Sequence, residues 1–506
     1  MVSSRSPIVD KVLCALTLEE KVSLLARKNT WETTNIDRLG IPSLKMTEGT
    51  PGARGLKWTY GSLTTFIPCG ISLGATFDPV LFEKAADDPI FHEFARKAVQ
   101  NGLVLLKNEA ILPLRPSPLK RVAIIGPNAR KPTAGGSGSA PANPFYVTTP
   151  EECVKEALLD ANPEIEVIYE PGVPFSLYPP LLGTLLKTPD GALGGNPYCY
   201  RASGIVTPKV TGRYTWSLSN TGKAKLFIDG RSYRLSVESR VTLPPFEAFD
   251  NTLFPNVSGL RIGLAQGRNN QELLDRGTAY AQSADVAILV VGHNKDSEGE
   301  GGNHADMQLP GQTDALVHAV CAANPNTVVV VQSAREESMP SLQLLGKTPI
   351  TLPRRLQDHG SGSWFSGQAA NDYCEFGEGV LVGYHHFEKH DIQPLWPSGY
   401  GLSYTCFELS DIRLEEQMTV TAASTISVRA RCWTARWIRS CAALAGFAKV
   451  FVPAGEDRNV TIGVGKQELR WYDEEAHSWQ IDAGVYRCFV GASSVDIQNI
   501  LEFNVL

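Results

Sequence analysis

The 506-residue sequence has no long hydrophobic run. No stretch approaches 18 uncharged apolar residues, so no membrane-spanning helix is expected. An apolar leader is missing too. Asp10, Lys11, Glu19 and Glu20 interrupt every apolar stretch of the opening MVSSRSPIVDKVLCALTLEEKV. This predicts no secretory signal peptide and a cytoplasmic location. The ten cysteines are scattered from Cys14 to Cys488, with no CxxC pair or other zinc spacing. That predicts no metal site and thiols held reduced. No basic run is present and the formal net charge is −6, which excludes an obvious nucleic-acid surface. No internal repeat is visible. What is present is an ordinary globular composition, 43% hydrophobic and 20% charged, in a chain long enough for two to four domains.

Local patterns alternate between two classes. Thr17 and Glu20 form a capping box before the apolar face of Val22, Leu24 and Leu25, so residues 17–27 read as a helix. Ile41 to Met46 reads as a short buried strand running into a glycine-rich loop, and 93–107 as a helix ended by Lys107-Asn108. Arg121 to Gly126, Ile165 to Tyr169, Val286 to Val291 and Thr327 to Gln332 read as buried strands. They alternate with helical patterns at 150–161, from 271 through Ala281, and at 312–323, which implies a parallel sheet with crossover helices. Between the two halves, Gly212 to Leu218 and Ala224 to Gly230 alternate with period two and read as antiparallel strands. Short strands and turns return after about residue 402 and suggest a β-sandwich.

Several segments, in order, resemble glycoside hydrolase family 3 β-glucosidases of the fungal type. Lys45-Met-Thr-Glu-Gly-Thr-Pro-Gly-Ala-Arg-Gly55 resembles the family's S-D-G-P-x-G-x-R-G loop. Phe66-Ile-Pro-Cys-Gly-Ile-Ser-Leu-Gly-Ala-Thr-Phe-Asp78 resembles F-P-x-x-x-x-L-A-A-T-F-D, and the 95–108 segment resembles A-R-x-A-A-x-x-S-I-V-L-L-K-N. Gly126-Pro-Asn-Ala129 with the GGSGSA run at 135–140, Asp306-Met-Gln-Leu-Pro-Gly311 and Asn324 to Ser333 resemble the two halves of its α/β sandwich. Pro394-Leu-Trp-Pro-Ser-Gly-Tyr-Gly-Leu-Ser-Tyr-Thr405 resembles the opening of its fibronectin type III-like domain, which Gly446 to Val450 and Asp482 to Tyr486 continue.

The resemblance implies α/β plus all-β architecture. Residues 1–86 would be a partial (β/α)8 barrel remnant, 87–352 an α/β sandwich, and 172–262 a protective-antigen-like β-sandwich insert within it. Residues 353–394 would be a linker and 395–506 the fibronectin type III-like domain. It also implies hydrolysis of terminal β-D-glucosyl residues, with a β-glucoside or glycosylated small molecule as partner, no cofactor, no nucleic acid and no membrane. Glu300 aligns with the acid/base of the family and Glu298 is the second choice; Glu48 and Arg54 align with its sugar-binding Asp and Arg.

The departures are specific. Asp78 is followed almost at once by Asp87-Asp-Pro-Ile-Phe-His-Glu-Phe-Ala-Arg96, which resembles the linker after the barrel. The stretch between should carry the nucleophilic Asp, and no replacement nucleophile is found. Trp433 to Ala443 does not read as the family strand expected there. His385, His386 and His390 lack companion ligands and read as surface or interface histidines. Three readings stay open: an impaired β-glucosidase-type hydrolase, a non-catalytic sugar- or protein-binding pseudo-enzyme, and a decayed or misassembled coding sequence. Surfaces that pack on the barrel should be left bare, with possible self-association.

Overall fold

The computed structural model describes residues 7–29, 31–46, 67–79, 91–131, 144–175, 205–207, 211–212, 214–220, 226–233, 260–266, 270–294, 297, 306–332, 346–361, 377–404, 407–414, 419–420, 426–428, 432–435, 443–450, 452–453, 456–464 and 466–505.

The centre is a four-stranded parallel sheet. Its strands are Arg121–Ile125 (β1), Glu166–Glu170 (β2), Val286–Gly292 (β3) and Thr327–Gln332 (β4), in the spatial order β4-β3-β1-β2. Val122 pairs with Val167 on one side and Val286 on the other, and Ala287 pairs with Thr327. The helices Pro150–Ala161 (α1), Asn270–Gln282 (α2) and Thr313–Ala323 (α3) connect or follow these strands.

Strand alternation divides the core into two layers. Ala123, Ile125, Ala287, Leu289 and Val291 point to the layer that holds Ala281 of α2 and Leu316 and Val320 of α3. Val122, Ile124, Val286, Ile288 and Val290 point to the layer that holds Leu158 of α1. Covering both faces is why β3 is apolar without interruption and buried along its whole length. Full burial of a side chain such as Leu316 contributes about 1.5–3 kcal/mol.

The segment before the sheet departs from its expected pattern. The helix runs over Phe91–Gly102 and stops there. Beyond it the chain is extended: Val104 bridges Gly346 in parallel, Leu105 is buried, and the Leu105 and Leu106 carbonyls accept from Leu402 N (2.8 Å) and Tyr400 Oη (3.1 Å). Glycine is a weak helix former, and the extended form gives Leu103 to Leu106 backbone partners in the 346–402 region.

Among the described residues of the 172–262 region, Tyr214–Asn220 pairs antiparallel with Leu260–Gln266, in register from Tyr214↔Gln266 to Asn220↔Leu260. Leu226–Ile228 and Arg231–Tyr233 form a hairpin through Asp229-Gly230, both with positive φ, as a two-residue primed turn requires.

The C-terminal region holds a five-stranded sheet in which Gly484–Gly491 and Ile497–Val505 form the longest antiparallel pair. Its core gathers Ala445, Val464, Leu469, Tyr486, Cys488, Val490, Phe503 and Val505. Cys432–Ala435 is a strand paired with Ala443–Gly446 and with Gly484–Gly491, so the start of the stretch that looked unlike the family strand takes that role. The backbone pairing tolerates side chains that a motif comparison rejects. Cys488 is disulfide-bonded, contrary to reduced thiols throughout, whereas Cys14, Cys69, Cys153 and Cys321 are free.

At the other end, Pro7–Ala15 and Leu18–Leu25 are helices, the second with the Thr17–Glu20 capping box in place. Ile41 to Met46 is not a buried strand. It makes only the isolated bridges Ile36↔Ile41 and Glu32↔Lys45, and Leu44 and Met46 are exposed. Pro42 has no N–H to give a ladder, and no layer among the described residues covers the segment.

Candidate functional site

In the sheet, the chain passes from β1 outward to β2, then returns to β3 on the other side of β1. The order reverses between β1 and β3. In open α/β sheets this switch point leaves a crevice outside the carboxyl ends of the two strands, where ligands bind. The segments leaving β1 and β3 are Gly126-Pro-Asn-Ala129 and the loop that carries Glu298 and Glu300.

The β1 exit is tight. Gly126 has φ +106°, and a Cβ there would lie 2.1 Å from the Val290 carbonyl oxygen of β3, so only glycine fits. The turn drops Asn128 into the interior at 1% exposure. Asn128 Nδ2 donates to the His293 carbonyl at 3.1 Å, while its Oδ1 is buried and has no partner. A buried acceptor without a donor costs about 1–3 kcal/mol.

The β3 exit is held from several sides. His293 N donates to the Gln332 carbonyl at the end of β4 (3.1 Å) and Asn294 Nδ2 donates to the Phe175 carbonyl beyond β2. His293 Nδ1 and Ser297 Oγ are 2.9 Å apart. Asn294 N donates to Ser297 Oγ (3.0 Å), and Ser297 N donates to the Asn294 carbonyl (2.9 Å). The far side of the loop is fixed as well. Asp306 Oδ1 accepts from Gln308 N (3.0 Å), Leu309 is buried, and Asp314 Oδ2 accepts from Leu309 N (3.2 Å). Burial raises the Asp314 carboxyl above its ordinary value.

After the β1 turn, Arg130 stacks over Tyr169 at 3.8 Å and pairs with Glu151 of α1 (Nη2–Oε1, 2.7 Å). Glu151 raises the Arg130 guanidinium, and burial pushes Tyr169 up to about 12, so both keep their protons. Glu170, 1% exposed, pairs with Arg276 of α2 at 2.5 Å.

Of the residues singled out from sequence, Glu298, Glu300, Glu48 and Arg54 lie outside the described residues. The structure fixes both roots of the Glu298–Glu300 loop: Ser297 is anchored immediately before Glu298. Asp78 donates its N–H to Thr76 Oγ1 (3.2 Å) in a turn, and the neighbouring Phe77 meets Phe447 edge-on at 5.4 Å. Sequence reasoning missed Asn128, His293, Asn294 and Ser297. Their signal was available as polar residues directly after uninterrupted buried strands. Among the described residues no group of three or more His, Cys, Asp or Glu could hold a metal ion.

Comparison with known proteins matches this architecture. The glycosyl hydrolase family 3 C-terminal domain matches residues 103–345, and a fibronectin type III-like domain matches 434–494. The chain carries the C-terminal domain of glycosyl hydrolase family 3. A beta-glucosidase of Rhizobium radiobacter is 27% identical over 526 residues, which cover 83% of this chain and 63% of the relative. The Aspergillus clavatus protein named "Probable beta-glucosidase I" is 28% identical, over 82% of this chain and 63% of its own. The chain thus spans about 63% of the length of these relatives. The crystal structure of a beta-glucosidase from Kluyveromyces marxianus in complex with glucose shares the fold, with TM-score 0.77, 19% identity and 99% coverage of both chains. A beta-glucosidase from Streptomyces venezuelae in complex with D-glucose gives TM-score 0.61 at 22% identity, over 82% of this chain and 60% of that one.

Proposed function

We propose that this chain is a β-glucosidase-like glycoside hydrolase that keeps the loop for the acid/base and lacks the segment for the nucleophile. The observation that carries the reading is the anchoring on either side of 298–305, by Ser297 after β3 and by Asp306 to Leu309 before α3, with Glu300 at the acid/base position of the motif and Glu298 beside it. A retaining glycosidase uses two carboxyl groups about 5–5.5 Å apart. One attacks the anomeric carbon; the other gives a proton to the leaving oxygen and then takes one from water. Glu300 supplies the second role. Glu48 and Arg54 accept from and donate to sugar hydroxyls. With no carboxylate in the nucleophile's place, the glycosyl-enzyme does not form, and acid assistance alone contributes about 10²–10⁴-fold. The partner is a β-glucoside or a glycosylated small molecule. The missing segment between Asp78 and Asp87 also favours a second reading, a sugar-binding pseudo-enzyme.

The test is an assay of the purified chain on aryl β-glucosides, with Glu300→Gln and Glu48→Ala as controls, alongside calorimetric titration with glucose. Trace turnover with measurable glucose binding supports the proposal. Robust turnover abolished by Glu300→Gln refutes the impairment, and neither turnover nor binding refutes the sugar site.

A further inference from the structure

A histidine cluster lies away from the switch point, where the Leu356–Asp358 turn meets the Tyr384–Lys389 helix. The His386 ring packs so closely on Gly360 that a Cβ there would lie 2.8 Å from its Cγ and Nδ1. Its centroid is 4.6 Å from that of His390, one helical turn on. His359 is the third imidazole. Its Nδ1 accepts from Ser361 N at 3.4 Å and lies 2.7 Å from Ser361 Oγ.

Among the described residues, the charged groups around His386 fall on three elements. The 354–361 turn brings Arg354, Arg355, Asp358 and His359, and Arg355 holds Asp358 at 2.7 Å. The 377–380 turn brings Glu378, whose Oε2 is buried without a partner. The helix itself brings Glu388, Lys389 and, at its end, His390. Burial and the imidazoles of His390 and His359 push the His386 imidazole below its ordinary value. Its hydrogen bond to the Asp358 carbonyl and the Glu378 charge pull the other way and do not win. Burial also lowers His385.

The helix is a junction. Phe387 is buried, Ile392 N donates to the Phe387 carbonyl (2.9 Å), and Tyr384 Oη accepts from Leu444 N (3.0 Å) in the C-terminal sheet region. Just beyond, Leu352 bridges Trp396, and Ser398 accepts from Ser494 N at 2.9 Å. Loosening the helix therefore loosens a contact between the linker and the C-terminal sheet.

We propose that His386, packed between Gly360 and His390, is an acid-sensitive latch: neutral, it seats the Tyr384–Lys389 helix on Gly360 and holds Tyr384 on Leu444; protonated, it releases both. The direction follows from linkage. An imidazole held below its ordinary value when seated favours the seated state fully above about pH 6.5, and that advantage is lost as pH falls through the lowered value.

Hydrogen exchange with mass spectrometry on the full chain, at about pH 7.5 and about pH 5.5 on either side of the ordinary imidazole value, tests this after correction for intrinsic exchange. The expected result is a loss of protection at the acid pH in peptides covering 383–392 and 443–446. A peptide covering β3 should not change. His386→Gln should remove the loss. His390→Gln, at an exposed position that tolerates substitution, should reduce it, so the test stands even where His386→Gln fails to fold. Equal protection at the two pH values, or an undiminished loss in His390→Gln and His386→Gln, overturns the latch.

Discussion

The central sheet and the N-terminal segment start from similar apolar patterns and end in opposite environments. Leu316 and Val320, one helical turn apart in α3, are fully buried under the sheet. Leu18, Val22 and Leu25 form the same kind of stripe on a well-capped helix and are 71%, 57% and 90% exposed. Leu44 and Met46 are bare as well. Periodicity dictates which face of a helix is apolar; burial depends on a partner layer being present. The sheet has its layers on both sides, and the N-terminal segment has none among the described residues.

The difference makes quantitative predictions, the largest first. Leu316→Ala should cost about 2–5 kcal/mol, as large-to-small core changes do, read as a lower denaturant midpoint. Asn128→Ala strands the His293 carbonyl but also removes the orphaned Oδ1, two opposing effects of about 1–3 kcal/mol each, so its signature should be raised hydrogen exchange at 293–297 relative to β3 more than a large stability loss. Thr149→Ala, which removes the capping box of α1, should cost about 1 kcal/mol. Leu25→Ala should change stability by no more than about 0.5 kcal/mol, because its side chain already faces solvent. Replacing Leu18, Val22 and Leu25 together by serine should instead shift size-exclusion behaviour toward monomer, since bare apolar patches drive association. A Leu25→Ala loss as large as that of Leu316→Ala would erase the comparison.

Much of the sheet was legible. β1, β2, β3 and β4 each carry a run of apolar β-branched residues, and the helical pattern at 150–161 is α1. The misses share one cause. The end of the 91–102 helix, the exposed Ile41 to Met46 and the Cys432–Ala435 strand all depend on what the rest of the chain offers as hydrogen-bond partner or cover. Such partners lie hundreds of residues away, as Leu106 and Tyr400 do. At the site, Glu298 and Glu300 rest on the motif alone and lie outside the described residues. The scaffold of Asn128, His293 and Ser297 shows in sequence only as polar residues after buried strands, a pattern that its hydrogen bonds alone distinguish from any other loop.

The central claim, an acid/base loop without a nucleophile, meets its most direct test in intact-mass spectrometry. The full chain is incubated with an activated 2-deoxy-2-fluoro-β-glucoside, which accumulates the glycosyl-enzyme of any retaining glycosidase with a working nucleophile. The account predicts an unchanged mass. A stoichiometric gain of one fluoroglucosyl group on an Asp or Glu would contradict it.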